Sequence, residues 1–418
     1  MADERQSPPL ALDRSAMEAS TSKFDNLPRE IVAEIMSRLP PESLMGCKCL
    51  NKSWYFVIKC LIKDPKFVAK HLHQAEAAPE TLVVYYRFLH LEELMTSLIT
   101  STSSRHNGDE DDLHLVSEDL SLPVYFTQQG YNKVHHCDGI ICLTRDNKTI
   151  TLCNLALREF CIFSPETDLV INEYSILGVG FGKDFRSGNY KIVRLLEPMK
   201  AEVFTPGTSN SWREIAIDVN SKHYEDVGDH AYLNGKCFWL MLGEPWTLLC
   251  FDLCTEVFQT ISLPNGEDTC SSITIHDDLL CFFWYPLLTQ FSNCIHVWKL
   301  DFKDGGSGTE DFTYSWRKCL ETNPFERLYI PMTFWQSDEL LVDDADNMEL
   351  YYNPHTENSP ESDEELLVDT EYARISSFNI RTRKLRKVKL PEYGTLGPIL
   401  YKGPYVKSLV SIKEKKLA

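Results

Sequence analysis

The sequence lacks the long apolar runs and the apolar leader that direct a chain into a membrane or towards secretion. Its longer apolar runs, such as residues 279–288, are far below the roughly 20 residues that a membrane-spanning helix needs. The N-terminal residues are polar and charged, without the apolar core of a signal peptide. We therefore expect a soluble protein of the cytoplasm or the nucleus that has no membrane partner.

Closely paired cysteines are missing as well. The 14 cysteines include no Cys-x-x-Cys pair, and the nearest spacings are Cys47-x-Cys49 and Cys250-x3-Cys254. Cys142 and Cys281 lie within apolar runs, where a free thiol behaves as a small buried hydrophobic group. Because nothing in the sequence indicates secretion, we expect free structural thiols and neither disulfides nor zinc.

Basic residues are outnumbered, which bears on the partners. The chain has 42 Lys and Arg against 61 Asp and Glu, a formal net charge of −19. Residues 23–70 hold nine Lys and Arg against five Asp and Glu, so this segment carries +4 and the remainder −23. Because phosphate contacts supply most nucleic-acid affinity, the acidic remainder disfavours nucleic acid. It favours a basic protein ligand, whereas the basic segment suits an acidic partner.

Familiar catalytic and nucleotide-binding motifs are absent. The sequence has no GxxxxGK[ST] loop and no GxSxG elbow. The run Gly178-x-Gly180-x-Gly182 lacks the dinucleotide spacing, and glycines that let strands approach closely explain it better. Residues 135–138, His-His-Cys-Asp, are the one dense cluster of potential metal ligands. A zinc site there would need distant partners, and a turn into the β domain is the alternative. We expect no catalysis, no metal and no cofactor.

What the sequence does contain begins with a helical stretch near the N-terminus. Leu27, Ile31 and Ile35 have the spacing of one helix face. Asn26 can cap this helix, and Pro28 suits its first turn. The Leu-Pro-Pro sequence at residues 39–41 ends the helix, because proline removes a backbone donor and restricts the residue before it.

Further short helices follow. We predict a second helix at residues 42–45, a break at Gly46, a third helix at residues 49–61 and a last helical piece at residues 66–72. Three short helices in about 40 residues bury too little apolar surface to form a stable core of their own. We therefore expect the helical unit to need a partner.

The rest of the sequence reads as short strands separated by turns, which is typical of an all-β domain. A degenerate unit of strand, polar turn and strand recurs. Its five copies are residues 152–165, 201–215, 249–264, 295–319 and 374–391. Val203, Cys250 and Val297 are 47 residues apart in succession, a spacing typical of propeller blades. A propeller is favoured over the alternative, a two-sheet sandwich.

These features predict an α+β chain in which a short three-helix unit precedes an all-β, propeller-like domain. The predicted divisions are a disordered tail at 1–22, the helical unit at 23–72, a linker with a first strand and an acidic loop at 73–112, the β domain at 113–413 and a tail at 414–418. Residues 91–99 are either a short helix or a loop. Residues 82–137 or a strand at 405–412 would complete a further blade. An acidic insertion at 343–371 is either a solvated loop or an arm that contacts a substrate.

The helical stretch resembles an F-box. The pairs that match the family's motif, in order, are Leu27-Pro28, Leu39-Pro40, Ser43-Leu44 and Ser53-Trp54. The resemblance implies docking on a Skp-type linker protein, and through it on the cullin and RING subunits of a ubiquitin ligase. The docking residues that it implies are Leu27, Pro28, Ile31, Ile35, Leu39, Pro40, Leu44 and Trp54. Gly46-Cys47 departs from the family pattern of a basic and an aromatic or aliphatic residue, which predicts weaker docking.

The β region resembles an F-box-associated domain, and in particular the S-locus F-box proteins of flowering plants and their relatives. The matching segments are 137–142 (CDGIIC), 154–160 (NLALREF), 178–182 (GVGFG), 189–194 (NYKIVR), 202–204 (EVF), 210–215 (NSWREI), 250–258 (CFDLCTEVF), 333–341 and 405–413. Leu155 departs from the family's proline. The resemblance implies a non-catalytic adaptor that captures a protein substrate for ubiquitination, with basic S-ribonucleases in self-incompatibility as one candidate. An unrelated substrate, or a binding scaffold outside any ligase, are the alternatives.

Overall fold

The structure of the chain, a computed structural model, divides into two compact units, Met1–Ala77 and Ala78–Ala418. The residues that it describes are 27–76, 80–89, 91–101, 112–119, 131–145, 149–163, 176–197, 199–208, 211–217, 224–243, 245–264, 271–285, 294–303, 313–325, 329–344, 375–389 and 396–412. Among them, no helix has both the length and the apolar character needed to cross a bilayer.

The first unit is helical. Its helices are α1 (Arg29–Met36), α2 (Pro41–Cys47), α3 (Lys52–Leu61) and α4 (Pro65–Glu76). Pro28 and Pro40 stand at the N-terminal boundaries of α1 and α2. As predicted, Pro28 lies at the start of α1 and this helix ends before residues 39–41. The predicted cap Asn26 lies outside the described residues.

Two boundaries in the helical unit differ from the prediction. Gly46 lies inside α2 rather than ending it, because an exposed helix tolerates one glycine at a modest cost. The helix α3 begins at Lys52 rather than at residue 49, because Asn51 caps it: the Asn51 side chain accepts a hydrogen bond from the Trp54 backbone N–H at 2.9 Å.

The fourth helix enlarges the core of this unit. The buried apolar side chains are Met36, Leu44, Ile58, Phe67 and Leu72, and the last two come from α4. This helix is longer than the piece predicted at residues 66–72. The unit therefore consists of four helices that share a small buried core.

The second unit is all β, as predicted. Its strands are β1 (Glu80–Leu89), β2 (Leu91–Ser101), β3 (Asp112–Asp119), β4 (Tyr131–Cys137), β5 (Ile140–Arg145), β6 (Thr149–Asn154), β7 (Glu159–Phe163), β8 (Ile176–Lys183), β9 (Tyr190–Leu196), β10 (Lys200–Phe204), β11 (Arg213–Ile215), β12 (Tyr224–Leu233), β13 (Lys236–Gly243), β14 (Thr247–Asp252), β15 (Val257–Ser262), β16 (Ser271–His276), β17 (Leu279–Trp284), β18 (His296–Lys303), β19 (Thr313–Glu321), β20 (Tyr329–Gln336), β21 (Glu339–Asp344), β22 (Ile375–Asn379), β23 (Leu385–Lys389) and β24 (Leu396–Tyr405).

These strands form five sheets in a propeller-like arrangement. Four sheets are antiparallel four-strand meanders, β4 to β7, β8 to β11, β12 to β15 and β16 to β19. The fifth has eight strands in the order β20-β21-β22-β23-β3-β2-β1-β24, with β23 and β3 parallel. The strands β4, β8, β12, β16, β20 and β24 each pack against the next, and β24 packs against β4. The ring therefore closes, with the last strand of the chain completing the sheet that β1 begins.

The repeat found in the sequence corresponds to the third and fourth strands of successive sheets. Val203, Cys250 and Val297 lie in β10, β14 and β18, which are equivalent strands, so the period of 47 residues is confirmed as one sheet of the ring.

The turn within the repeat has a common design in three sheets. The third strand ends on Asn154, Asp252 or Asn379, whose side-chain oxygen accepts backbone N–H groups two or three residues later at 2.8 to 3.1 Å. Four residues on, the backbone has φ between 54 and 59°. The residues with this left-handed backbone are Arg158, Glu256 and Arg383. Local hydrogen bonding therefore explains why a polar turn recurs.

Two predictions for the β unit are wrong. Residues 91–99 are neither helix nor loop but belong to β2, which pairs with β1 and β3. The C-terminal strand covers Leu396–Tyr405 rather than residues 405–412. Residues 406–412 instead fasten to the sheet β4 to β7: Asn154 Nδ2 donates to the carbonyls of Ser408 at 3.1 Å and Val410 at 2.8 Å. Of the predicted acidic insertion, residues 345–371 lie outside the described residues.

The glycines of β8 make room for the neighbouring sheet. A Cβ atom on Gly180 would stand 2.6 Å from Cζ2 of Trp239, and one on Gly178 would stand 3.3 Å from the same side chain. Trp239 is fully buried, and its Nε1 donates to the Val179 carbonyl at 2.8 Å. The run of glycines is therefore a packing feature, as the sequence predicts.

Candidate functional site

The helical unit exposes apolar side chains on α1. Leu27, Ile31 and Ile35 are all exposed, with Ile31 at 47%. Ile31 and Ile35 are four residues apart and so lie on one side of α1, whereas Leu27 precedes this helix by two residues. Met36 on the same helix is buried. The predicted apolar face of α1 is thus turned outward, and α1 contributes little to the core.

A second exposed apolar group lies at the start of α3. Leu50, Tyr55 and Phe56 are exposed, with Phe56 at 62%, and the prediction did not include them. The signal was present in three consecutive aromatic residues, 54–56. Successive residues on a helix point about 100° apart, so three in a row cannot all face one core. We refer to Leu27, Ile31, Ile35, Leu50, Tyr55 and Phe56 as the exposed apolar set.

The other predicted docking residues fall into different environments. Pro28 and Pro40 are exposed, and Leu39 and Trp54 are partly buried. Leu44 is 0% exposed and so packs inside the helical unit. The structure therefore brings only some of the predicted residues to the surface.

Charged side chains of α4 and of the α1–α2 connection form one cluster around Glu34 of α1. Glu34 accepts a hydrogen bond from Arg38 at 2.9 Å and pairs with Lys70 of α4. The hydrogen bond from Lys70, followed by that from Arg38, lowers the pKa of Glu34. On α3, the Lys59 ammonium lies 5.5 Å from the centroid of the Tyr55 ring. Arg38 and Lys70 are thus paired with Glu34, whereas Lys59 lies over an exposed aromatic ring.

In the β unit, the exposed large apolar side chains lie apart from one another, among the residues whose exposure the structure describes. They are Ile162, Phe185, Val257 and Tyr314, and each belongs to a different sheet or turn of the ring. Single exposed apolar residues are normal on a protein surface. They identify no binding face.

The cluster at residues 135–138 lies in the β4–β5 hairpin. His135 is buried, and its ring centroid lies 3.6 Å from that of His230. His230 Nε2 donates to the Val134 carbonyl at 2.7 Å. Burial lowers the pKa of both imidazoles. Since Asp138 and Gly139 have φ of 50° and 80°, the segment is a two-residue hairpin turn.

The same hairpin holds a third imidazole. His136 Nε2 accepts the Gly139 backbone N–H at 2.9 Å, and its ring lies 4.9 Å from that of Tyr405. Burial lowers the pKa of His136 to about 4. In the part of the chain that the structure describes, no three His, Cys, Asp or Glu side chains converge as metal ligands do. These imidazoles pack where strand β4 meets β12 and β24, which is where the ring of sheets closes.

Comparison with known proteins agrees with this two-part organisation. Residues 24–66 match the F-box domain, and residues 92–412 match the F-box associated beta propeller domain. Because the second match covers more than half of the chain, the chain belongs to the F-box-associated β-propeller family.

The chain is also similar to proteins of Arabidopsis thaliana that are named as F-box proteins. A sequence named as an F-box protein, At3g17490, is 25% identical over 407 residues, covering 94% of this chain and 96% of its own. The F-box/kelch-repeat protein At3g23880 is 25% identical, covering 76% of this chain and 84% of its own. Among solved structures, TolB of Acinetobacter baumannii is 8% identical over 82% of this chain and 73% of its own, with a TM-score of 0.43. That likeness is too remote to bear on function.

Proposed function

We propose that this chain is the substrate-recognition subunit of a Skp-cullin-F-box ubiquitin ligase. The observation that carries the proposal is the exposed apolar set on a small helical unit that matches the F-box. Burying the exposed isoleucine side chains of this helix against another protein is favourable, because it removes apolar surface from water. A Skp-type linker protein is the partner that this domain implies, with cullin and RING subunits joined through it.

In this role the chain performs no chemistry of its own. The helical unit holds the ligase and the β unit holds a substrate, so substrate lysines meet the conjugating machinery at a high effective concentration. Leu27, Ile31 and Ile35 make direct contact in this proposal. Leu44, being buried, acts by holding α2 against the other helices.

The test is the affinity of the full chain for a purified Skp-type protein. Ile31→Ser should weaken binding by at least about tenfold, since apolar anchors dominate such interfaces. Ile162→Ser is the matched control, because Ile162 is 44% exposed but lies in the β unit. Equal binding by the two variants would contradict the assignment of the docking surface. Failure of the unsubstituted chain to bind would favour a scaffold outside any ligase, to which the departure at Gly46-Cys47 points.

We further propose that the substrate is a basic protein, with the S-ribonucleases of self-incompatibility as one candidate and an unrelated substrate as the alternative. The support is the charge of −23 outside residues 23–70, together with the sequence resemblance. Such a complex should form in the cytoplasm or nucleus and weaken as salt rises, because screening reduces attraction between exposed charges. Salt-independent binding, or expression in leaves rather than pollen, would contradict the self-incompatibility role.

A further inference from the structure

The helix α4 extends beyond the F-box match, which ends at residue 66, yet it contacts the docking helices. His71 of α4 is 4% exposed, and its Nε2 lies 2.9 Å from the Leu39 carbonyl oxygen. Phe67, one turn earlier, packs beside it with ring centroids 6.4 Å apart. Lys70 of α4 pairs with Glu34 of α1. Neighbouring side chains of α4 thus hold both α1 and the connection that follows it.

The chemistry of the His71 contact defines the direction of the hydrogen bond. A carbonyl oxygen only accepts, so the His71 Nε2 atom carries the hydrogen and donates it. The Nδ1 atom is buried without a partner in the described part of the unit, which leaves the ring fixed by this one bond and by packing. Leu39 follows the end of α1 and precedes Pro40 and α2.

The position of this bond matters for the surface. The Leu39 carbonyl lies in the α1–α2 connection, beyond the end of α1 at Met36. Its hydrogen-bond partner is His71 of α4, since a buried backbone carbonyl needs a donor. The bond ties the α1–α2 connection to α4. That connection determines how the face bearing Ile31 and Ile35 stands relative to Pro40.

We propose that His71 is a positioning residue for the Skp-docking surface, so that α4 belongs to the functional docking unit. This inference rests on the proposed function, because it assigns a role within the same site. His71 itself is buried and does not touch the partner. Its contribution is to hold the exposed apolar side chains of α1 and the Leu39-Pro40 connection in the arrangement that a Skp-type protein binds.

Two substitutions of equal length separate positioning from space filling. His71→Gln keeps a donor near the place of Nε2, whereas His71→Met fills similar volume without a donor. We expect His71→Met to raise the Kd for a purified Skp-type protein on the order of tenfold. Without the bond, the binding-competent arrangement would fall to roughly a tenth of the folded population, and the apparent Kd rises by the same factor. His71→Gln should stay within about twofold of the unsubstituted chain.

The controls make each outcome decisive. Gln74→Met places the same side chain at an exposed position of α4 and should leave the Kd unchanged. Affinities are measured in the full chain, at a temperature where circular dichroism finds every variant folded. If His71→Met and His71→Gln bind equally well, the Leu39 bond serves stability alone and the inference is overturned. If the unsubstituted chain itself does not bind, the proposed function has failed instead.

Discussion

Acid should loosen the β unit through His136. The imidazole is neutral in the folded chain, where burial lowers its pKa to about 4, against about 6.5 for an unperturbed histidine. Burial is the dominant cause, and both the Asp138 carboxylate and a backbone hydrogen bond to Pro404 oppose it. Protonation would also place a hydrogen on Nε2, which now accepts the Gly139 N–H.

The direction in which pH changes the free energy of unfolding depends on whether the folded or the unfolded chain binds the proton more readily. Above pH 6.5 the imidazole is neutral in both states, so its contribution to stability is fully present. As the pH falls from about 6.5 to about 4, the unfolded chain takes up the proton first and the free energy of unfolding drops. A shift of about 2.5 units corresponds to roughly 3.4 kcal/mol. This is an upper limit, because His136 is only partly buried and water screens part of the effect.

The measurement is urea unfolding at several pH values between about 7 and 4. His136→Gln removes the titrating group but keeps an acceptor for the Gly139 N–H. We expect the variant to resemble the unsubstituted chain near neutrality and to lose up to about 3 kcal/mol less on acidification. His73→Gln, at an exposed position of α4, should change nothing. Parallel loss of stability in the unsubstituted chain and His136→Gln would refute the reasoning.

Two further predictions concern packing and closure of the ring. Gly180→Ala should destabilise the β unit by about 1–3 kcal/mol through overpacking, because the alanine Cβ would stand 2.6 Å from Trp239. Gly46→Ala is the comparison, since a Cβ atom at this position would have no neighbouring atom within 4 Å. It should stabilise the helical unit by about 0.5–1 kcal/mol. Equal effects in thermal unfolding would contradict this account. Asn154→Ala should cost about 3 kcal/mol, because it removes a turn cap and leaves two carbonyls of the C-terminal segment without their donor. If the free energy of unfolding in urea fell by less than about 1 kcal/mol, the C-terminal segment would be held to its sheet by contacts other than those of Asn154.

The repeat was predictable because its causes are local. Asn154, Asp252 and Asn379 cap turns through hydrogen bonds to residues two or three positions later. Each turn therefore depends only on residues that are close in the sequence. The start of α1 at Pro28 and its end before residues 39–41 were predictable for the same reason. In both cases the backbone geometry depends on the side chain and its immediate neighbours.

Strand partners far apart in the chain were not predictable in this way. Residues 91–99 carry no clear alternation, and their strand β2 exists because β1 and β3 lie on either side of it. The strand β24 pairs with β1 across more than 300 residues of sequence. No local pattern identifies which strand closes a ring, since that depends on how many sheets precede it.

The same distinction between local and long-range causes applies to the candidate docking site. Sequence alone determined that Leu27, Ile31 and Leu44 belong to one helical module, because helical spacing and proline boundaries are local properties. Only the tertiary structure decided that Ile31 faces outward while Leu44 is buried. Both are apolar at helical positions. The difference arises because the four helices, including α4 with its bond from His71 to the α1–α2 connection, cover the Leu44 side chain and leave that of Ile31 exposed.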